Sequence, residues 1–243
     1  MSAATRKLLA LHLVANALLL WLAYEWLGVT ESTRFRLVLS AVDALAILSL
    51  VCWLHGATFV YFRGKQRIKD AFRVALRHLG ALVVAAVVVI VVYGLLTWAA
   101  NAMGQPAFQL ASWMTLHLRK PVKPSTVARV FQGVFWVVRW VVLPVGLLPM
   151  ASGIAARGGR GAGEITWRAG WRDWVVVPAA LLLGLKLPFV LLGWVPAVEA
   201  FGMQMASFVV RIGVGYLLFV GAAVGLAYWT GARRMMATSA DPS

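Results

Sequence analysis

Residues 79–101, LGALVVAAVVVIVVYGLLTWAAN, run for 23 positions without one charged side chain. Valine dominates the run, and a segment a third as long would read as a buried strand. At this length a strand is excluded. Lone extended backbone in hydrocarbon leaves its N–H and C=O groups unpaired, whereas a helix pairs them internally. About 20 apolar residues, rising 1.5 Å each, cross a hydrocarbon layer ~30 Å thick. The segment is expected to be a transmembrane helix.

Five other segments meet the same criterion, which places spans near 8–28, 37–62, 79–101, 130–153, 174–196 and 204–230. Composition agrees: 62% of residues are hydrophobic and 13% charged, whereas soluble domains carry about 25% charged residues. So few polar groups cannot cover a water-facing surface. The expected fold is an all-α integral membrane protein, a polytopic bundle of about six transmembrane helices in one membrane domain, 1–243. The basic start MSAATRK precedes an apolar run longer than a signal peptide's and without a small-x-small cleavage site, so it reads as an uncleaved first span.

Basic residues set orientation. Fourteen Lys and Arg fall before span 1, in 63–77, in 157–172 and in the tail; six fall in the alternate connections. Basic connections stay cytoplasmic, so both termini are expected there, in a bacterial-type cytoplasmic membrane. The basic stretch HLRKPVKPSTVAR (117–129) falls on the other side. Upstream of it, 104–118 is too short and too polar to span and reads as an interfacial or re-entrant helix. If it re-enters, and if VVLPVGLLP (141–149) breaks span 4 into a hairpin, every strongly basic connection becomes cytoplasmic.

The net charge of +15 comes without a helix-turn-helix, zinc-finger or RNA-binding motif. Nucleic acid is therefore not an expected partner; a bilayer with anionic headgroups is, together with other membrane subunits. Arg73/Arg77 and Arg168/Arg172 repeat one i, i+4 spacing just before spans 3 and 5, which sets each pair on one helix face. They are expected to anchor amphipathic lead-in helices and to contact lipid phosphates on the cytoplasmic side. The glycine-rich stretch 156–168 lacks the G-K-[ST] ending of a phosphate-binding loop and reads as a flexible linker.

Ionisable side chains inside a span cost about 2.5–3.5 kcal/mol each on insertion scales and mark candidate functional positions. Glu25, Asp43, Arg139, Lys186 and Arg211 qualify. Their positions along the spans put all five in the outer half of the membrane. The expectation is one charged cluster in which Lys186 pairs with Asp43, or else Glu25, while Arg139 and Arg211 border the pair. It would be either a helix-fixing ion network or a site for an anion or lipid headgroup. Pro144, Pro149, Pro178 and Pro188 interrupt spans 4 and 5, as in transporters with broken helices.

His12 and His55 fall at similar depth on consecutive antiparallel spans in the other half, and a bis-histidine haem would need such a pair facing one another. No further haem signature accompanies them, so no cofactor is expected. The single cysteine, Cys52, excludes an intrachain disulfide. No H-E-x-x-H, G-x-S-x-G or acidic metal cluster is present. The function that follows is non-enzymatic, a transporter-like module or an accessory subunit of a membrane complex; the alternative is a membrane-embedded enzyme acting on a lipid.

This topology predicts the outcome of labelling by a membrane-impermeant thiol reagent after replacement of Cys52. A cysteine at position 66 escapes the reagent applied from outside, and one at position 201 reacts. The reverse pattern would invert the orientation.

Overall fold

The computed structural model describes residues 3–30, 32–64, 67–165, 170–196 and 200–239, with side chains to Arg233. Among them every regular element is helical: α1 (Ala3–Leu27), α2 (Arg34–Gly64), α3 (Ile68–Arg77), α4 (Leu79–Ala102), α5 (Gly104–Leu118), α6 (Pro124–Val137), α7 (Leu143–Arg157), α8 (Trp171–Leu181), α9 (Leu187–Gly193) and α10 (Phe201–Ser239). A π-helical turn, Val138–Val142, joins α6 to α7, and a second, Leu182–Lys186, joins α8 to α9. Six helices are then long and apolar enough to cross a membrane: α1, α2, α4, α10, the segment Pro124–Glu164 and the segment Trp171–Gly193. Each span expected from sequence has its helix, and the chain is an all-α polytopic membrane protein.

The π turns follow from the prolines. Proline has no N–H and its ring clashes with the carbonyl four residues back. In the first turn the Leu143 N–H reaches the Val138 carbonyl, and in the second the Leu187 N–H reaches Leu182. This i−5 register opens the helix just before Pro144 and Pro188, as a single-turn π bulge does. Span 4 therefore continues through Pro144 and Pro149 as one helix, and the hairpin alternative at 141–149 is not what the chain forms.

Packing is densest at the end of the bundle where α1 begins and α10 ends, called the terminal end below. Val60, Ala71, Leu82, Ile154 and Ala155 form one buried cluster there. α3 turns Ala71 and Ala75 into it and leaves Arg73 and Arg77 exposed, as an amphipathic lead-in helix should. Glycine decides the next contact. Gly158 ends α7 with φ +65°, and a Cβ on Gly161 would stand 2.0 Å from the Gly153 carbonyl carbon. The 3₁₀ turn Gly158–Glu164 is thus seated against α7 with no room for a side chain. For 158–164 the flexible-linker expectation is corrected, because Gly153 and Gly161 let backbone touch backbone; 166–168 lie outside the described residues.

At the far end, α5 folds back on α6. Ala107 and Ala111 pack against Val127, Arg119 closes α5 in the left-handed conformation at φ 51°, and Thr115 Oγ1 accepts the Val122 N–H at 3.0 Å. The segment 104–118 is accordingly a helix of 15 residues, about 22 Å long and too short to cross.

Gly161→Val is expected to unseat the 158–164 turn. Overpacking of this kind costs about 1–3 kcal/mol, which a thermal melt in detergent reads as a fall of several degrees. An unchanged melting temperature would show that the close contact with Gly153 is dispensable.

Candidate functional site

The five intramembrane charges divide by what their helices do with them. Arg211, buried at 9% exposure, turns toward the end of α9. Its Nη1 donates to the carbonyls of Leu191 at 3.0 Å and of Trp194, and its Nε donates to the Ser207 carbonyl at 3.2 Å. The guanidinium also lies 5.8 Å from the Trp194 and Phe208 ring centres. α9 breaks off at Gly193, so its last carbonyls have no intrahelical donors, and a cation there meets the negative end of the helix dipole. Arg211 caps a helix end.

Arg139 works one level of bonding away. Its Nη1 donates to Thr97 Oγ1 at 3.0 Å and its Nε to the Phe135 carbonyl at 3.3 Å. The Arg139 carbonyl itself accepts the Tyr93 hydroxyl at 2.6 Å. In the i−5 register that carbonyl would be served by the residue at 144, which is proline and has no N–H. Tyr93 supplies the missing donor from α4.

Glu25, Asp43 and Lys186 are exposed on the outside of the bundle. The ion pairs formed among the described residues are Arg63–Glu164, Arg157–Glu164 and Arg233–Asp173, and none joins two of the five. Lys186 does not pair with Asp43 or Glu25 within the chain, contrary to the expected contact. Levels explain part of this. Phe62 abuts Gly231, and Asp173 holds Trp229 at 2.9 Å and Arg233 at 2.8 Å, so α2 and α8 can be measured from a common plane. Asp43 then lies about 30 Å from that plane and Lys186 about 20 Å. Rotation explains the rest, because Lys186 faces out with Leu183 and Val190, three residues before and four after, which are 51% and 54% exposed.

The histidine pair is brought together. The His12 and His55 ring centres lie 5.3 Å apart. His12 is fully buried, with Nε2 2.6 Å from Thr58 Oγ1 and Nδ1 accepting from Asn16 Nδ2 at 3.0 Å. Thr58 Oγ1 passes its own hydrogen to the Leu54 carbonyl at 2.9 Å. Both ring nitrogens of His12 are engaged, so the pair does not present two free lone pairs to a haem iron. Among the described residues no group of three His, Cys, Asp or Glu side chains could hold a metal ion.

Of the four arginines expected at lipid, Arg73 and Arg77 are exposed on α3, and Arg172 is exposed at the start of α8 with its guanidinium 5.6 Å from the Trp171 ring centre. Arg168 lies outside the described residues. Sequence reasoning missed the terminal-end clamp, where one carboxylate, Glu164, takes Arg63 at 2.5 Å and Arg157 on the same oxygen. Arg63 and Glu164 are 101 positions apart, and nothing local in the sequence signals their meeting. Asp173 was missed as well. It accepts the Gly170 N–H at 2.9 Å and ties α8 to α10.

Two clefts open between the helices. One, of about 570 Å³, lies between α1, α9 and α10 at Pro188, Gly215 and Tyr216; the other, of about 400 Å³, runs beside α4. Neither is lined by any of the five charged residues. No family model, no curated protein and no solved structure matches this chain.

The Tyr93 arrangement makes a double-substitution prediction. Tyr93→Phe strands the Arg139 carbonyl in a partly buried site away from water, at a cost of about 1–3 kcal/mol, and lowers the melting temperature in detergent. Pro144→Ala in the same molecule returns a backbone N–H and restores most of the loss. Destabilisation without rescue would mean that the hydroxyl serves another partner.

Proposed function

We propose that this protein is a non-catalytic subunit of a larger assembly in a bacterial cytoplasmic membrane, with its basic terminal end in the cytoplasm. The single observation that carries this reading is Lys186. An ammonium about 10 Å inside the hydrocarbon on helix rise stands on an exposed apolar face with Leu183, Phe189 and Val190. Facing lipid alone it is costly; facing a helix that brings a carboxylate it becomes the anchor of a lateral contact. Lysine suits this use, being a compact point charge that pairs with one partner. Glu25 and Asp43, exposed on α1 and α2, extend the same idea to a second face.

The transporter-like reading asks for a cavity that reaches the charges, and the lipid-enzyme reading asks for a cleft holding a carboxylate without a cation. Neither cleft contains any of these groups, so the geometry favours the subunit reading over both.

A photo-crosslinking residue at position 183 or 190, in native membranes, is expected to capture a specific membrane partner. Lys186→Met should abolish the adduct while Lys186→Arg keeps it. Adducts to lipid only, or a protein adduct indifferent to Lys186→Met, would overturn the subunit reading.

A further inference from the structure

Membrane insertion restricts how two copies of this chain can meet. The excess of Lys and Arg in the terminal-end connections orients every copy the same way. Neighbouring copies therefore stand parallel, and only groups at one level come together. Two outward stripes match under that rule. On α1 the exposed positions Val14, Leu18, Trp21 and Glu25 recur at spacings of four, three and four. Across α8 and α9 the exposed positions Ala179, Leu183, Lys186 and Val190 recur at the same spacings. That alternation is the seam by which parallel helices pack at a shallow angle. One stripe carries a carboxylate and the other an ammonium.

The levels agree. Lys186 stands about 20 Å from the plane shared by Gly231 and Asp173. α1 is tied to α2 at two points, His12 to Thr58 and Trp26 to Ser40. Carried through those bonds, Trp21 lies about 20–25 Å from the plane and Glu25 one turn further. In a parallel neighbour the Lys186 ammonium arrives beside the Trp21 ring, with the Glu25 carboxylate one turn away. An indole face and a carboxylate are the two partners that lipid denies a cation. Direction selects the carboxylate. Side chains on a helix lean toward its N-terminus, so Glu25 on α1 leans toward the level of the lysine. Asp43 on α2, which runs the other way, leans off.

The two stripes also adjoin. α1 and α9 border one cleft, lined by Leu20, next to Trp21, and by Phe189, three residues beyond Lys186. Both stripes thus flank the same side of the bundle. A two-fold axis along the membrane normal then sets α9 of each copy against α1 of the other and forms the contact twice. Within one chain the stripes stand on opposite rims, and among the described residues no ion pair joins Glu25 to Lys186.

We propose that the partner at the Lys186 face is a second copy of this chain, in a parallel dimer where Lys186 of each copy pairs with Glu25 of the other beside Trp21. This names the partner in the subunit reading and rests on that reading.

The test co-expresses two differently tagged full-length copies, both with Cys52→Ser, and oxidises the native membranes. One copy carries Leu18→Cys and the other Leu183→Cys. A disulfide joining the two tags is expected, and Val84→Cys on the exposed face of α4, used in place of Leu18→Cys, gives none. Lys186→Glu in the Leu183→Cys copy lowers the yield about tenfold. Glu25→Lys added to the other copy restores it, because the swapped and the unaltered pairs are then both opposite in sign. Absence of the cross-tag disulfide, with a photo-adduct at 183 to another protein still sensitive to Lys186→Met, would overturn the dimer and leave the subunit reading standing. Photo-adducts to lipid alone would remove both. A cross-tag disulfide indifferent to Lys186→Glu would overturn the ion pair.

Discussion

Inside a bilayer a backbone carbonyl without a donor costs several kilocalories per mole, and each break in a helix of this protein creates one. The structure answers by spending side chains on backbone. Tyr93 serves the Arg139 carbonyl that Pro144 leaves open. Arg211 serves the end of α9. Trp26 donates to Ser40 across α1 and α2, Trp53 to Phe72 across α2 and α3, and Tyr216 to Leu13 across α10 and α1. The tryptophan and tyrosine bonds also fix the register of two helices, because each of those donors reaches one carbonyl. Many of the polar side chains that look available for chemistry in the sequence are consumed in this way.

The second constraint is closeness. With lipid as apolar as leucine, helices gain from contact only where small residues let backbones approach. Gly153 and Gly161 do this at the terminal end, Gly184 against Ala222 in the middle, and Gly231 against Phe62. Contacts of that kind leave the large apolar side chains outward, so Val84, Val88, Ile90 and Val91 on α4 are more than half exposed. The bundle is thus tight where glycines meet, and the large side chains of α4 are left facing outward.

Length and hydropathy were enough to read the six helices, the amphipathic α3 and the short α5, because each depends on local residues alone. The expected charge cluster failed for a geometric reason. Depth along a helix follows from residue count, but rotation about the axis changes by about 100° per residue, and no local signal says which way a face will point. Arg139 and Arg211 sat at plausible depths yet turned to carbonyls, while Lys186 turned outward. The common level of His12 and His55 was legible because two antiparallel neighbours joined by a short connection share a depth scale; that their rings turn toward each other is a fact of rotation that only the structure supplies. The Arg63–Glu164–Arg157 clamp was not, since it depends on span 4 returning beside α2 and on a glycine turn that composition alone marks as loose.

The intramembrane cations divide by their chemistry into arginines and a lysine. A guanidinium offers five donors in a plane and is weakly hydrated, so it can settle among several carbonyls inside the protein; Arg211 and Arg139 do so. An ammonium is compact and strongly hydrated and needs either water or a discrete anion. Placing the one intramembrane lysine on the lipid-facing side, while both arginines are drawn inward, separates charges that hold this fold together from a charge directed outside it. The same separation holds for the carboxylates. Glu164 and Asp173 are bound by arginines at the terminal end, and Glu25 and Asp43 are displayed. What the fold does not consume, it presents, and the presented set carries both signs.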